Sequence, residues 1–194
     1  MRPLNYFLAL RNKYTAIRQL FCDPETKNCY EYTLFDSTDK PAIVLPVTRT
    51  GHVIAIRQFR HGANDIILEL PGGNADSADE SPEAVVIREM REETGYTGTI
   101  ISLHRTIWLD PCVYTVAFSP FLALDCEKMQ DQHLDPEERI HITHIPLKEW
   151  IYLACISIND SKTMAVTLAS LPYLARIFPI AKYISAIGKS LSGQ

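Results

Sequence analysis

Between Leu70 and Tyr96 the chain reads LPGGNADSADESPEAVVIREMREETGY, and this stretch restricts the fold more than any other. It begins as the end of a short apolar strand, Ile66 to Leu70, that Pro71-Gly72-Gly73 must stop, because proline withholds a ladder donor and glycine favours turns. A helix follows. Ser81 suits its N-cap, Pro82 its first position, Glu83 the positive end of its dipole, and Gly95 the left-handed residue that closes it. Its apolar positions are few: Val85, Val86 and Met90. Residues three and four apart share a helix face, so Glu89, Glu92 and Glu93 converge on one flank.

Three carboxylates at such spacing repel one another unless a cation lies among them, and hard oxygen donors at this density suit Mg²⁺ or Mn²⁺. Charge pattern alone also allows a plainer reading: a solvated acidic face with Arg88 and Arg91 as partners a turn away.

The remaining chain supplies a sheet and more helices. From Tyr14 to Asp36 the runs YTAIRQLFC and CYEYTLFD flank the turn Asp23 to Asn28 and predict an N-terminal β-hairpin. Strands are expected at Ala42 to Val47, His52 to Phe59, Thr99 to Trp108, Tyr114 to Leu124 and Arg139 to Ile145, with helices at Leu147 to Cys155 and Ser161 to Leu171. Helices on a mixed sheet define an α/β or α+β domain. At 194 residues and 46% hydrophobic, one globular domain is expected: an extension at residues 1–37, then residues 38–194 with a C-terminal helical tail.

A net charge of -4 argues against a protein that wraps duplex nucleic acid, whereas a small phosphorylated ligand needs only a local basic patch. Cys22, Cys29, Cys112, Cys126 and Cys155 are odd in number and lack CxxC spacing, which predicts reduced thiols and a cytoplasmic location rather than a disulfide framework or structural zinc. The opening MRPLNYFLALRNKY has no long apolar core followed by small residues, and no run is long enough to span a membrane.

The stretch described first resembles the Nudix box, G-x5-E-x7-R-E-U-x-E-E-x-G-U, where U is a bulky aliphatic residue. Glu80, Arg88, Glu89, Met90, Glu92, Glu93 and Gly95 meet its fixed positions, and Tyr96 stands where an aliphatic is usual. Six residues rather than five separate Gly73 from Glu80, an insertion in the loop that leaves the helix register intact. The resemblance implies a Nudix fold, a mixed β-sheet sandwiched between helices, and a Mg²⁺-dependent pyrophosphohydrolase. It implies that Glu89, Glu92, Glu93 and the Gly72 carbonyl hold the metal, while Arg88 and Glu80 orient the carboxylates.

Outside the box, VIAIRQFR at 53–60 and LELPGG at 68–73 are similar to the VRQYR and ELPAG segments of ADP-ribose pyrophosphatases. Pro111 follows Tyr96 by fifteen positions, as a proline does in that subgroup, and Asp160-Ser-Lys-Thr163 is similar to the start of its last helix. The segment Asp110-Pro-Cys-Val-Tyr114 departs from the subgroup's SPG pattern, which leaves the exact substrate open. Together these similarities cover roughly residues 14 to 172.

Arg57 and Arg60 are candidates for gripping phosphate or a terminal ribose, with solubilising arginines as the plain alternative. Glu69, in an apolar strand, needs a substrate or an arginine as partner. Glu137 and Glu138 lie in a loop where the subgroup often places a catalytic base, with an ordinary acidic loop as the equal alternative. Tyr30, Tyr32 and Phe35 suit sheet core first and stacking on a base second. The stripe Ile177, Ile180, Ile184, Ile187, Leu191 is expected to pack on its own domain or on a second subunit, since Lys182 and Lys189 give a membrane surface weak help.

The leading expectation is hydrolysis of ADP-ribose, or a related nucleoside diphosphate sugar, to a nucleoside monophosphate and a sugar phosphate by a homodimer. Another nucleotide sugar or a dinucleotide is the second. The third is a Nudix-fold module that holds a nucleotide without cutting it; the complete set Arg88, Glu89, Glu92 and Glu93 stands against that.

Overall fold

The computed structural model describes residues 15–37 and 40–192. Two strands, β1 (Thr15–Cys22) and β2 (Cys29–Asp36), form the hairpin; Tyr14 lies outside the described residues. Then come β3 (Ala42–Thr48), β4 (His52–Arg60), β5 (Asp65–Glu69), β6 (Gly72–Gly73) and helix α1 (Pro82–Thr94). The chain continues through β7 (Tyr96–Ser102), β8 (Ile107–Trp108), β9 (Ala117–Lys128) and β10 (Ile140–Pro146). It ends with α2 (Leu147–Ile156), α3 (Ser161–Leu174) and α4 (Ile180–Ser192).

The main sheet runs β10-β4-β3-β9-β7, with β5 beside β4, β6 beside β3 and β8 beside β9. β3 and β9 are parallel and the other pairs antiparallel, so the sheet is mixed. β3 is apolar almost throughout because both its faces are covered, as a central strand requires. Ala42 and Val44 point to the α1 side, where Val85, Val86, Met90, Ile54 and Phe121 join them. Ile43, Leu45 and Val47 point the other way, into a core with Trp150, Val166, Leu174, Ile180 and Ile187 from the three later helices. Helices thus sandwich the sheet, as expected. Trp150, fully buried, donates its Nε1–H to Thr167 Oγ1 at 3.0 Å and so keeps its polar edge satisfied.

Some boundaries differ from the sequence reading. The strand expected over 99–108 divides into β7 and β8, with His104 between them at φ 49°. That expected from Tyr114 starts instead at Ala117 and runs on to Lys128, because Asp110–Tyr114 folds into a turn closed on the Asp110 carbonyl. Of the tail stripe, Ile180 and Ile187 in α4 pack on the protein's own core, while Ile177, which precedes the helix, Ile184 and Leu191 stay exposed.

The hairpin corrects two expectations. Cys22 and Cys29 are directly opposed across it and form a disulfide, so the five thiols are not all reduced. An odd total and absent CxxC say nothing against two cysteines that a tight turn places in register; of the rest, Cys112 and Cys155 are exposed and Cys126 is buried. Tyr30 and Tyr32 are 54% and 50% exposed rather than core, because the hairpin joins the domain only near its base. There Phe35 exchanges backbone bonds with Val113 and Thr115 and packs its ring on Tyr114. Among the described residues no helix is long and apolar enough to cross a membrane.

Candidate active site

Burial of Val85, Val86 and Met90 against β3 and β4 sets the rotation of α1 about its axis. The Glu89–Glu93 flank consequently lies against β6 and the end of β4. Both helix ends follow local chemistry: Ser81 Oγ accepts the Ala84 N–H at 3.2 Å, and Gly95 closes the helix at φ 75°. The two glycines of β6 are there for closeness. A Cβ on Gly72 would stand 2.3 Å from the Ala42 carbonyl oxygen, and one on Gly73 would stand 2.0 Å from Glu89 Oε1.

Arg88 organises the carboxylates. Its Nε donates to Glu80 Oε1 at 3.1 Å, its Nη1 to Glu89 Oε1 at 3.0 Å and Glu92 Oε2 at 3.1 Å, and its Nη2 to the Asn74 carbonyl at 2.8 Å. Glu80 also accepts the Asp76 N–H at 2.7 Å; Arg88 first, and that N–H second, hold its carboxyl below the usual range. The inserted loop is thereby tied to the helix through Glu80. Glu89 goes the other way: burial raises it, and Arg88 only partly offsets that.

Glu93 is 3% exposed, not on an open helix flank as the sequence suggested. The turn at Pro71–Gly73 covers it, and the Gly72 N–H donates to its Oε2 at 2.9 Å. Burial pushes its carboxyl well above the ordinary value; the Gly72 N–H opposes the rise, and Glu89 and Glu138 add to it. Among the described residues no cation stands within ion-pair distance of Glu93. A buried carboxylate facing two others requires a proton or a cation. The donor chemistry therefore fits a divalent hard metal, with Glu89, Glu92, Glu93 and the Gly72 carbonyl as the available oxygens. As the side chains stand, no three acidic, histidine or cysteine groups among the described residues meet at one point at ligand distance. Arg88 engages both Glu89 and Glu92, so an entering cation must compete with it.

Arg60 and Glu69 form the second charged feature. Glu69 is 2% exposed and receives Arg60 Nε at 2.6 Å and Nη2 at 2.9 Å, the forked pairing that satisfies both oxygens. Arg60 and Gln58 line a cleft of about 240 Å³ with Gly72, Gly73, Glu89, Glu93 and Glu138. Arg57 does not enter it: side chains alternate along a strand, and Arg57 lies on the face of β4 that carries Val53 and Ala55. Pro111 sits exposed in the Asp110 turn, outside the cleft. Glu138 borders this cleft and the adjoining one beside Arg88 and Glu92, whereas Glu137 is exposed outside both.

The sequence reading missed the residues that fasten this loop to α1. Gln132 Nε2 donates to the Glu93 carbonyl at 2.6 Å, and the His133 N–H donates to the Glu92 carbonyl at 2.8 Å. No periodicity or motif marks them.

Residues 38–160 match the family model of the NUDIX domain, so the chain belongs to the Nudix family. Among relatives, an ADP-ribose pyrophosphatase of Bacillus subtilis is 30% identical over 122 residues, 62% of this chain and 65% of that protein. An uncharacterized Nudix hydrolase of Schizosaccharomyces pombe is 31% identical over 54% of this chain and 52% of its own length. A mouse ADP-sugar pyrophosphatase is 37% identical over 39% and 35%. The chain thus spans between about a third and two thirds of the curated relatives it matches. The crystal structure of an ADP compounds hydrolase superimposes with a TM-score of 0.68 at 17% identity, covering 84% of this chain and 95% of that one, which establishes the shared fold.

Glu93→Gln should stabilise the metal-free protein. A carboxyl whose value rises on folding contributes stability that is complete below its unfolded value and is lost as pH climbs through its folded value. Glutamine keeps an acceptor for the Gly72 N–H and removes the buried charge. In chelator at about pH 7.5 the variant should melt higher, and the difference should close as pH falls to the ordinary glutamate value. Melting curves followed by circular dichroism check this; a lower melt for the variant at the higher pH would contradict it.

Proposed function

We propose that this chain is a Mg²⁺-dependent pyrophosphohydrolase, with Mn²⁺ as the alternative metal, that cuts ADP-ribose or a closely related nucleoside diphosphate sugar to a nucleoside monophosphate and a sugar phosphate. The observation that carries the proposal is the buried Glu93 carboxylate, set on the Gly72 N–H and facing Glu89 and Glu138 in a cleft that Arg60 also lines. The named activities of the Bacillus subtilis and mouse relatives support the choice of substrate.

Glu89, Glu92, Glu93 and the Gly72 carbonyl would hold the metal, which when bound screens the pyrophosphate, polarises phosphorus and lowers the pKa of water. Arg88, braced by Glu80, holds Glu89 and Glu92 in place until then. Arg60 spends Nε and one N–H of Nη2 on Glu69, leaving Nη1 and the other Nη2 hydrogen for a phosphate oxygen. Glu69 fixes that guanidinium in place and keeps its charge in the cleft. Glu138 is the candidate base for the attacking water, being the carboxylate that faces Glu89 and Glu93 from a separate element. Water attacks phosphorus directly, without a covalent enzyme intermediate.

A panel of nucleoside diphosphate derivatives incubated with Mg²⁺, with released phosphomonoester as readout, should give turnover on ADP-ribose or a near relative. Glu138→Gln should lower kcat by about 10² or more, while Glu137→Gln leaves it unchanged. In ¹⁸O-labelled water the label should enter a phosphomonoester product. Binding of the panel without cleavage would reduce the chain to a nucleotide-holding module, and a trapped phosphoenzyme would reject the mechanism.

The hairpin supports a homodimer as part of the same proposal. Its face with Ile17, Phe21, Tyr30, Tyr32 and Leu34 carries more apolar surface than a two-stranded ribbon can bury alone, and Phe21 and Tyr32 already meet edge to face at 5.7 Å. A second copy would cover it. Sedimentation at micromolar concentration should give a dimer; a monomer would refute this part.

A further inference from the structure

The turn Leu70-Pro71-Gly72, which presents Gly72 to Glu93, is held from three directions. Pro71 has no N–H, so the turn has two backbone donors, at Leu70 and Gly72. The Gly72 N–H goes to Glu93 on α1 at 2.9 Å. The Pro71 carbonyl accepts the Val44 N–H of β3 at 3.1 Å. The Leu70 N–H goes to α3, 93 positions away in sequence, where Thr163 Oγ1 accepts it at 3.1 Å. Leu70 and Thr163 are both buried, so no water can substitute for this partner.

Thr163 is itself fixed. Its N–H donates to the Asp160 carboxylate at 2.8 Å, the bond that caps α3. The Lys162 ammonium meets the other oxygen of Asp160 at 2.6 Å. The residue that accepts the Leu70 N–H is therefore anchored, through its backbone N–H, to a carboxylate already committed to a lysine.

We propose that Thr163 is a positioning residue for the active site: by accepting the Leu70 N–H it fixes the turn whose next N–H orients Glu93 and which sets Gly72 in the cleft beside Glu89 and Glu93. This rests on the reading of that site as a Mg²⁺ site. Thr163 touches neither metal nor substrate. Without its hydroxyl, the buried Leu70 N–H must lose its bond or rotate the peptide to find another, and rotation there displaces Gly72. Supporting groups one step removed from a metal commonly affect affinity or activity by about 10- to 100-fold.

The test compares Thr163→Val, which keeps the shape and loses the hydroxyl, with Thr163→Ser, which keeps the hydroxyl. Trp150→Phe is the control for lost stability, since it breaks the buried bond to Thr167 and none of the turn's own hydrogen bonds. Thr163→Val should lower kcat by about 10- to 100-fold with little change in KM, and should raise the Mg²⁺ concentration for half-maximal activation. Thr163→Ser should restore both. Mg²⁺ titration calorimetry should show weaker binding in Thr163→Val, and hydrogen exchange at the Gly72 amide should quicken in that variant alone. These last two readouts decide the matter even if no nucleotide on the panel is hydrolysed, so failure of the substrate reading is told apart from failure of this one. Unchanged Mg²⁺ affinity and Gly72 exchange in Thr163→Val, or equal changes in Trp150→Phe, would overturn the proposal.

Discussion

The bond from the Gly72 N–H to Glu93 Oε2 joins the two halves of the site. It forms where β6 lies so close to β3 that a Cβ on Gly72 would clash with the Ala42 carbonyl, with the Glu89 carboxylate beside Gly73. That approach buries Glu93 and brings it toward Glu89 and Glu138, and burial with repulsion then raises its carboxyl. A carboxylate in that position costs stability in the metal-free protein, a cost seen often at functional sites. The same cost favours binding of a divalent cation.

Arg88 manages the remaining charge. It distributes one guanidinium over Glu80, Glu89, Glu92 and the Asn74 carbonyl, and so links the inserted loop, the helix and the acidic flank. A metal on Glu89 and Glu92 would have to compete with the Arg88 bonds to those two carboxylates, whereas the Arg88–Glu80 pairing would be free to stay. Arg60 and Glu69 do similar work on the opposite wall, where a buried acid locks an arginine facing the cleft. In both places one charged group is fixed so that another can act.

What the sequence made legible was local. Ser81 and Gly95 bound the helix where capping chemistry says they should, and a glutamate in an apolar strand did require a cationic partner, found in Arg60. Strand alternation also separates Arg57 from Arg60, although their shared charge at one strand end had grouped them. The burial of Glu93 was hidden, because it depends on a turn packed from β3 and α3 rather than on helix periodicity. Glu137 and Glu138 are neighbours in an irregular loop, and only the attachment of that loop through Gln132 and His133 distinguishes them. The Cys22–Cys29 disulfide follows from hairpin register, which cysteine counting does not address.

If Glu93 is the buried carboxylate on which the metal site turns, Mg²⁺ competes for it with the proton that burial favours. Calorimetric titration of Mg²⁺ at about pH 6, in two buffers of different ionisation enthalpy, reads both affinity and protons released. Saturable binding with proton release in the unaltered protein, and loss of both in Glu93→Gln, is the predicted result. Mg²⁺ binding of equal affinity in the two proteins, with no proton released by either, would contradict it.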